Sequence, residues 1–408
     1  MSLRLHAATA AAFLVCLVGA LPAVAAGGEF TDSAGRIVVL PDHVNRVMPA
    51  SLAAEALIFV LDKDKLASLT YSFPAGPGPG PYYIKGQMRL PVVGELAGDH
   101  AASPPAAAVS RVHPDLIIDS GPVTPERAAL ADQISQATGV PYILLDSSLD
   151  RMPTMLRVAG RVLGVADRGD DLAGSAEHAI NALRGRLLIQ PANQRPRVFV
   201  AMGPNGLMTA PPGSEAGAAI DTAGAINVAT SVTPGPFPAV TLQQLHDWNP
   251  DIIIATDHAA YWTAYHIPGW ASLAAVRSHK VFLEPYYPPG PFPWITSPTG
   301  VNQLIGLYWL SQIFYPGDSQ DDLRSLMADF YDKFYGVKVT DAQIEDIAKT
   351  AGIPPSDTPH LAALPPLNPG AIPDTSGAPG AVNEPGRRGF LPNQAPAPAT
   401  TPSYLMPK

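Results

Sequence analysis

The sequence predicts an α/β protein of two lobes with mostly parallel sheets, connected by a single long backbone helix. Three observations predict it. Short apolar runs alternate with helical patterns through both halves of the chain, a Pro-Asp followed by an apolar run recurs once in each half, and residues 152–188 carry apolar side chains at three-to-four spacing with no strand pattern among them. Alternation of the first kind implies βαβ units and parallel strands. At 408 residues, 47% apolar and 15% charged, the chain is long enough for two domains with cores of their own.

The elements follow in order. Residues 1–26 read as a signal peptide: Arg4 precedes the apolar run 7–21, too short to span a membrane as a mature helix, and Ala23-Val24-Ala25-Ala26 supplies small residues for cleavage. The mature chain then starts near Gly27, outside the cytoplasm and not inserted in the membrane. Cys16, the one cysteine, follows Val15, where a lipoprotein signal needs a smaller residue, so no lipid anchor is expected. A mature chain without cysteine excludes disulfides, thiolate metal sites and thiol catalysis.

Residues 27–150 form the first lobe. Asp32-Ser33-Ala34-Gly35 is a turn between two short strands, 44–48 reads as a strand, 52–61 as a helix, 66–71 as a strand, and 116–119 and 142–145 as core strands. Residues 151–190 are the linking helix, with Leu156, Ala159, Leu163, Leu172, Ala176, Ile180, Leu183 and Leu187 on its apolar stripe. At ~1.5 Å per residue it would reach ~55 Å. Residues 191–352 form the second lobe, with strand-like runs at 198–202, 252–256 and 281–283 and a helix at 299–314. Residues 353–408 are rich in Pro, Gly, Ala and Thr with little apolar periodicity, a composition expected to stay disordered.

A net charge of −9 argues against nucleic acid or an anionic membrane surface as partner, since both demand a positive field. No Gly-x-Ser-x-Gly elbow, His-Glu-x-x-His or phosphate-binding Lys loop is present, so the chain does not read as an enzyme and no catalytic cofactor is expected. The Gly-Pro alternation at 76–81 is no phosphate cradle, because Pro77, Pro79 and Pro81 lack the N–H groups that a cradle uses.

The repeat is the most informative feature. Val112-His113-Pro114-Asp115-Leu116-Ile117-Ile118 matches Trp248-Asn249-Pro250-Asp251-Ile252-Ile253-Ile254, each following a helical stretch. Pro stops the helix and pushes its predecessor to extended geometry, Asp bonds local backbone N–H groups, and a core strand begins. Two copies in corresponding places imply two related lobes. His113 and His246 belong to the helix ends at these corners.

With this repeat, the opening Phe30-Thr31-Asp32-Ser33-Ala34-Gly35-Arg36, Leu90-Pro91-Val92-Val93-Gly94, Ala159-Gly160-Arg161-Val162-Leu163-Gly164, Trp270-Ala271-Ser272-Leu273 and Asn302-Gln303-Leu304-Ile305-Gly306, the chain resembles the periplasmic solute-binding proteins of the iron-siderophore and cobalamin type. The resemblance implies two Rossmann-like lobes on one long helix, acting as a monomer that captures a metal chelate, a ferric siderophore or similar iron complex, for an ABC importer. Haem, a corrinoid, a nickel chelate or a molybdate-like oxyanion stay open as solutes, as does a non-transport interaction or sensor role using the Pro-rich tail. Members of this family commonly dock on the permease through one glutamate per lobe; the aligned positions here are Ala107 and Gln243, which carry no charge.

In open α/β sheets ligands sit outside the carboxyl ends of the strands. The segments expected there carry Tyr71, Tyr82, Tyr83, Lys85 and Arg89, then Tyr261, Trp262, Tyr265 and His266, then Tyr286, Tyr287 and Trp294. Aromatic rings give flat amphipathic contact for a planar or chelated solute, and Lys85 and Arg89 neutralise an anionic one. His258, His266 and Glu284 are the residues a bare metal would use, but a loop with two His falls short of the converging set that a metal needs.

Overall fold

The protein is described by a computed structural model over residues 28–70, 87–97, 105–233, 238–285, 293–296, 300–316 and 322–350. The signal peptide, the expected disordered tail and the aromatic segments around 71–86 and 286–292 lie outside these residues.

The chain opens with an antiparallel pair, β1 (Glu29–Thr31) and β2 (Ile37–Val39). Asp32 makes the turn between them: its carboxylate accepts from the N–H groups of Ala34 and Arg36 and from the Arg36 guanidinium, while Oδ2 also accepts from Leu144 N–H at 3.0 Å, tying the hairpin to the first lobe. That lobe follows as β3 (Val47–Pro49), α1 (Leu52–Asp62), α2 (Pro105–Val112), β4 (Leu116–Gly121), α3 (Pro125–Thr138) and β5 (Tyr142–Asp146), with β3-β4-β5 a parallel sheet. Its strands are buried throughout except Asp146, as expected when helices cover both faces.

The expected strand at 66–71 is not a ladder. Only single bridges form, Val47 with Leu66 and Leu69 with Val92, because the Thr70 N–H and hydroxyl are both taken by the buried carboxylate of Glu55, at 2.6 and 2.7 Å.

The expected single linking helix is two helices, α4 (Met152–Val162) and α5 (Ala166–Ile189). Gly164 breaks the pattern at φ +73, a conformation other residues resist. α4 then folds back on α5: a Cβ at Gly160 would stand 2.8 Å from the Gly169 Cα, and Arg157 forks onto Glu177 at 2.6 and 2.8 Å. The apolar spacing ran on through both helices because both face the same core, and the glycines that weaken a helix are here the close-contact surface. α5 alone, 24 residues and ~36 Å, leads to the second lobe.

The second lobe contains β6 (Arg197–Ala201), α6 (Glu215–Thr222), β7 (Ile226–Asn227), α7 (Leu242–Trp248), β8 (Ile252–Ala255), α8 (His258–His266), α9 (Ala274–Arg277) and β9 (Val281–Leu283). Its four strands are parallel in the order β7-β6-β8-β9. α10 (Gln303–Phe314), α11 (Leu323–Phe330), a π-helical turn at Tyr331–Tyr335 and α12 (Asp341–Thr350) close the described chain.

The two Pro-Asp corners share one hydrogen-bond plan, an Asp carboxylate on the N–H of an arginine whose guanidinium returns to the incoming helix. Asp115 Oδ2 accepts from the N–H groups of Asn45 and Arg46, and Arg46 donates to the carbonyls of His113 and Val112. Asp251 Oδ2 accepts from Arg197 N–H, and Arg197 donates to the carbonyl of Trp248. His113 (φ 48) and Asn249 (φ 39) take the left-handed position that ends each helix, not the extended geometry expected of a residue before proline. The arginine is thus the third member of the repeat: it covers the last carbonyls of the incoming helix, where a cation is favoured. His246, at the other helix end, lies 2.7 Å from the carbonyl oxygen of Gly269.

One core runs through both lobes, with α1 and α4 from the first, α6 and α10 from the second and α5 between. Separate cores fill the outer face of each sheet, around Ile117, Val109 and Ile134 in the first lobe and Phe199, Leu245 and Trp270 in the second.

Candidate functional site

All described strands of each main sheet are parallel, so their carboxyl ends lie on one edge of each lobe, and the two edges touch. The Ser147 hydroxyl, just past β5, donates to the Glu215 carboxylate in the first turn of α6, and Gln303 Nε2 donates to the Glu215 carbonyl at 3.3 Å. A hydrogen bond between the strand ends of two lobes marks the cleft.

On the first lobe three features line this edge. Ser51, past β3, caps α1 and donates to the Ser120 carbonyl at 3.0 Å, while Glu95 accepts from Leu52 N–H at 2.7 Å, so a carboxylate already occupies the start of α1. Past β4, Thr124 caps α3 and sets Arg127 one turn in. Arg127 grips the buried Asp119 as a fork, Nε to Oδ2 at 3.1 Å and Nη2 to Oδ1 at 2.5 Å, and Tyr142 donates to the same Oδ2 at 3.1 Å. Burial disfavours the guanidinium charge, but Asp119, with Tyr142 and Glu215 nearby, outweighs it and holds Arg127 more basic than usual. Burial, then Asp119, pushes the Tyr142 phenol far up, so it stays a donor. Gly121 has to be glycine here, because a Cβ would overlap Arg127 Nη1.

On the second lobe, Asp257 follows β8, capping α8 through Ala260 N–H at 2.8 Å and holding the loop after β6 through Gly203 N–H at 3.0 Å. Beside α8 opens an apolar pocket of about 480 Å³, lined by Pro204, Leu207, Leu242, Trp262, Ile267 and Trp270 among others, within the size range of small-molecule sites.

The segment 258–266, read from sequence as a loop, is helix α8, started by the Asp257 cap. Helical spacing divides the four residues expected to line the site. Tyr261 points into the lobe core at 7% exposure and Tyr265 packs against it edge-on at 5.3 Å, so Tyr261 is a packing residue, not a cleft surface. Trp262 faces out at 42% exposure, its ring stacked on His266 at 4.5 Å and 7°, and lines the pocket. His266 Nδ1 donates to the Trp262 carbonyl at 2.8 Å.

Trp294 is also corrected: it lies at 1% exposure in the shared core, edge-on to Trp309, with its Nε1 donating to the Tyr331 hydroxyl at 3.3 Å. Arg89 is exposed in a short turn past the first-lobe bridge. Tyr71, Tyr82, Tyr83, Lys85, Tyr286 and Tyr287 lie outside the described residues.

Glu284 is wholly buried and accepts from Ile295 N–H, Thr296 N–H and the Thr296 hydroxyl at 2.5, 2.9 and 2.6 Å, pinning the chain beyond residue 292 to the end of β9. It is an anchor and not a metal ligand, and His258 and His266 stand at opposite ends of α8. No group of three or more His, Cys, Asp or Glu able to hold a metal occurs among the described residues. No helix among them is long and apolar enough to cross a membrane.

Sequence reasoning missed Arg127, Ser147 and Glu215. The Thr124-Pro125 helix start placed Arg127 one turn beyond a strand end, a signal that was there to read. Ser147 and Glu215 meet only through the fold.

Residues 96–287 match the family described as periplasmic binding protein. Over this segment the chain is similar to the periplasmic binding proteins. Over 189 residues it is 31% identical to the molybdate-binding protein MolA of Haemophilus influenzae, covering 46% of this chain and 52% of that one, so the match spans about half the length of the curated relative. An ABC transporter solute-binding protein from Sulfurospirillum deleyianum superposes with a TM-score of 0.70 at 25% identity, over 79% of this chain and 99% of the other. The molybdate-bound MolA structure superposes with a TM-score of 0.61 at 22% identity, over 77% and 99%. Residues 107 and 243, on α2 and α7, are both exposed: Ala107 offers no polar group and Gln243 donates to Asp247 at 2.8 Å.

Proposed function

We propose that the protein is an extracytoplasmic solute-binding component that captures a metal chelate, a ferric siderophore or similar iron complex, and delivers it to an ABC permease. The observation that carries this reading is the meeting of two parallel-sheet edges at Ser147 and Glu215, with the Arg127 guanidinium on the first-lobe edge. A chelate has the matching chemistry: charged oxygens around the metal for Arg127 and an organic body for the pocket beside Trp262. Arg89 and the aromatic segments at 71–85 and 286–287 border the same strand ends in sequence and belong to the same proposed surface.

No bond is made or broken in this function. Affinity comes from contacts made by both lobes, and release from their separation. Residues 1–26 export the chain and are removed, and the mature protein works as a monomer in the periplasm. With no charge at 107 and 243, docking on a permease uses other residues, of which Asp247 on the exposed face of α7 is one.

A second reading, a molybdate-like oxyanion, is favoured by the 31% identity to a molybdate-binding protein. The test is a thermal-shift panel on the mature chain with ferric siderophores, haem, a corrinoid, a nickel chelate and molybdate. A true solute at 100 times its dissociation constant stabilises by about 2.7 kcal/mol, several degrees for a chain of this size. A flat response to every compound would overturn solute capture, and a response to molybdate alone would replace the chelate by the oxyanion.

A further inference from the structure

The Ser147–Glu215 bond joins the two lobes, yet its effect is more specific than a clasp. Ser147 is fully buried and spends its single hydroxyl proton on Glu215. Arg127, engaged by Asp119 through Nε and Nη2, keeps Nη1 over Gly121 at the open end of β4, with no partner for Nη1 among the described residues. In the register of the sheet Gly121 lies beside Asp146, the neighbour of Ser147, so Nη1 and the Ser147 hydroxyl share one edge. The charge of Glu215 acts on Arg127, although the two form no ion pair. Together these atoms make an anion position whose hydroxyl is occupied, and which faces a fixed carboxylate, before any solute arrives.

We propose that Glu215 is the specificity gate of the cleft, an internal anion that excludes small free oxyanions and leaves a bulkier chelate, held by contacts elsewhere on both lobes, largely unaffected. A tetrahedral dianion approaching Nη1 meets the Glu215 carboxylate and finds no proton on Ser147, and has no apolar body to offset the cost. A chelate spreads its charge over a larger body and takes its affinity from contacts elsewhere on the two lobes, so it neither needs the Ser147 proton nor has to displace Glu215. The inference rests on the cleft being the solute site, and it names the class of solute that the site admits.

The experiment is titration calorimetry on the full mature chain with two probes, sodium molybdate and a ferric tris-catecholate. Glu215→Gln keeps an acceptor for Ser147 but removes the charge. It should raise molybdate affinity at least tenfold and change tris-catecholate affinity less than threefold. Ser147→Ala should raise molybdate affinity less, since the carboxylate stays. Adding Arg127→Lys, which keeps a cation against Asp119, to Glu215→Gln should cancel the gain.

Hydrogen exchange of residues 146–148 and 214–217 without solute is the independent readout, with faster exchange expected in Ser147→Ala. An unchanged or weaker molybdate affinity in Glu215→Gln, or an equal gain for both probes, overturns the gate while leaving solute capture standing. Binding of neither probe by any variant, with exchange raised as expected, overturns the solute reading and the gate with it.

Discussion

The cost of a buried carboxyl is visible in Glu55 and Glu284. Each is wholly buried, each receives an N–H and a hydroxyl from a threonine, and for each burial pushes the acid up to about 7 against the pull of those hydrogen bonds. The native state therefore holds protons that the unfolded chain, titrating near the ordinary carboxylate value, has released. Stability falls as pH rises from about 4.5 to about 7, and each group is responsible for on the order of 3 kcal/mol across that window. Glu284→Gln should flatten its share of the slope, measured as urea unfolding free energy at pH 5 and pH 7; an undiminished slope would place the proton elsewhere. A second contrast separates neighbours on α8. Tyr261→Ala, in the lobe core, should lose about 3 kcal/mol of stability. Trp262→Ala, exposed, should leave unfolding nearly unchanged and weaken chelate binding by about tenfold, since a large ring in a solute pocket contributes 1 to 2 kcal/mol.

Among the elements, the core strands were legible, the stretch at 66–71 and the helix junctions less so. Core strands such as β4 and β8 announce themselves by apolar runs behind Pro-Asp, and the structure adds Arg46 and Arg197 as the shared partner at those corners. α8 went unread because aromatic and histidine residues are weak helix formers and nothing but Asp257 marked its start. The α4–α5 break was hidden for the opposite reason: both helices bury the same stripe, so the periodicity survives the turn at Gly164. Their contact yields a prediction. Gly160→Ala puts a methyl against the Gly169 backbone, where no flexible side chain can give way, and should cost about 1–3 kcal/mol although alanine favours helix. Thermal melts of Gly160→Ala and of the open-space control Gly174→Ala decide it; the control should gain stability.

At the scale of the whole molecule, the last described helices bind the lobes to each other. The π-helical turn brings Tyr335, itself packed on Phe330 of α11, against Phe59 of α1, Tyr335 donates to Asn302 at the head of α10, and Arg168 of α5 donates to the Phe334 carbonyl at 2.9 Å and the Val60 carbonyl at 3.1 Å. Ile344, Ile347 and Ala348 of α12 finish the same core. None of this was legible in sequence, because a C-terminal helix packing back on the first lobe is a long-range pairing with no local signature. It also sets how the lobes can separate: motion that opens the cleft at Ser147 and Glu215 has to pivot about α5 while the α1–Tyr335 contact stays closed. Two truncations test that arrangement. Ending the chain after Thr350 removes only residues beyond the buried stripe of α12 and should leave the melting temperature within about 1 °C and solute affinity within twofold. Ending it after Asp322 strips Met327, Tyr331 and Phe334, all nearly or wholly inaccessible, and should abolish cooperative unfolding. A chain cut after Asp322 that still melts sharply would mean the two lobes hold together through α5 and α10 alone.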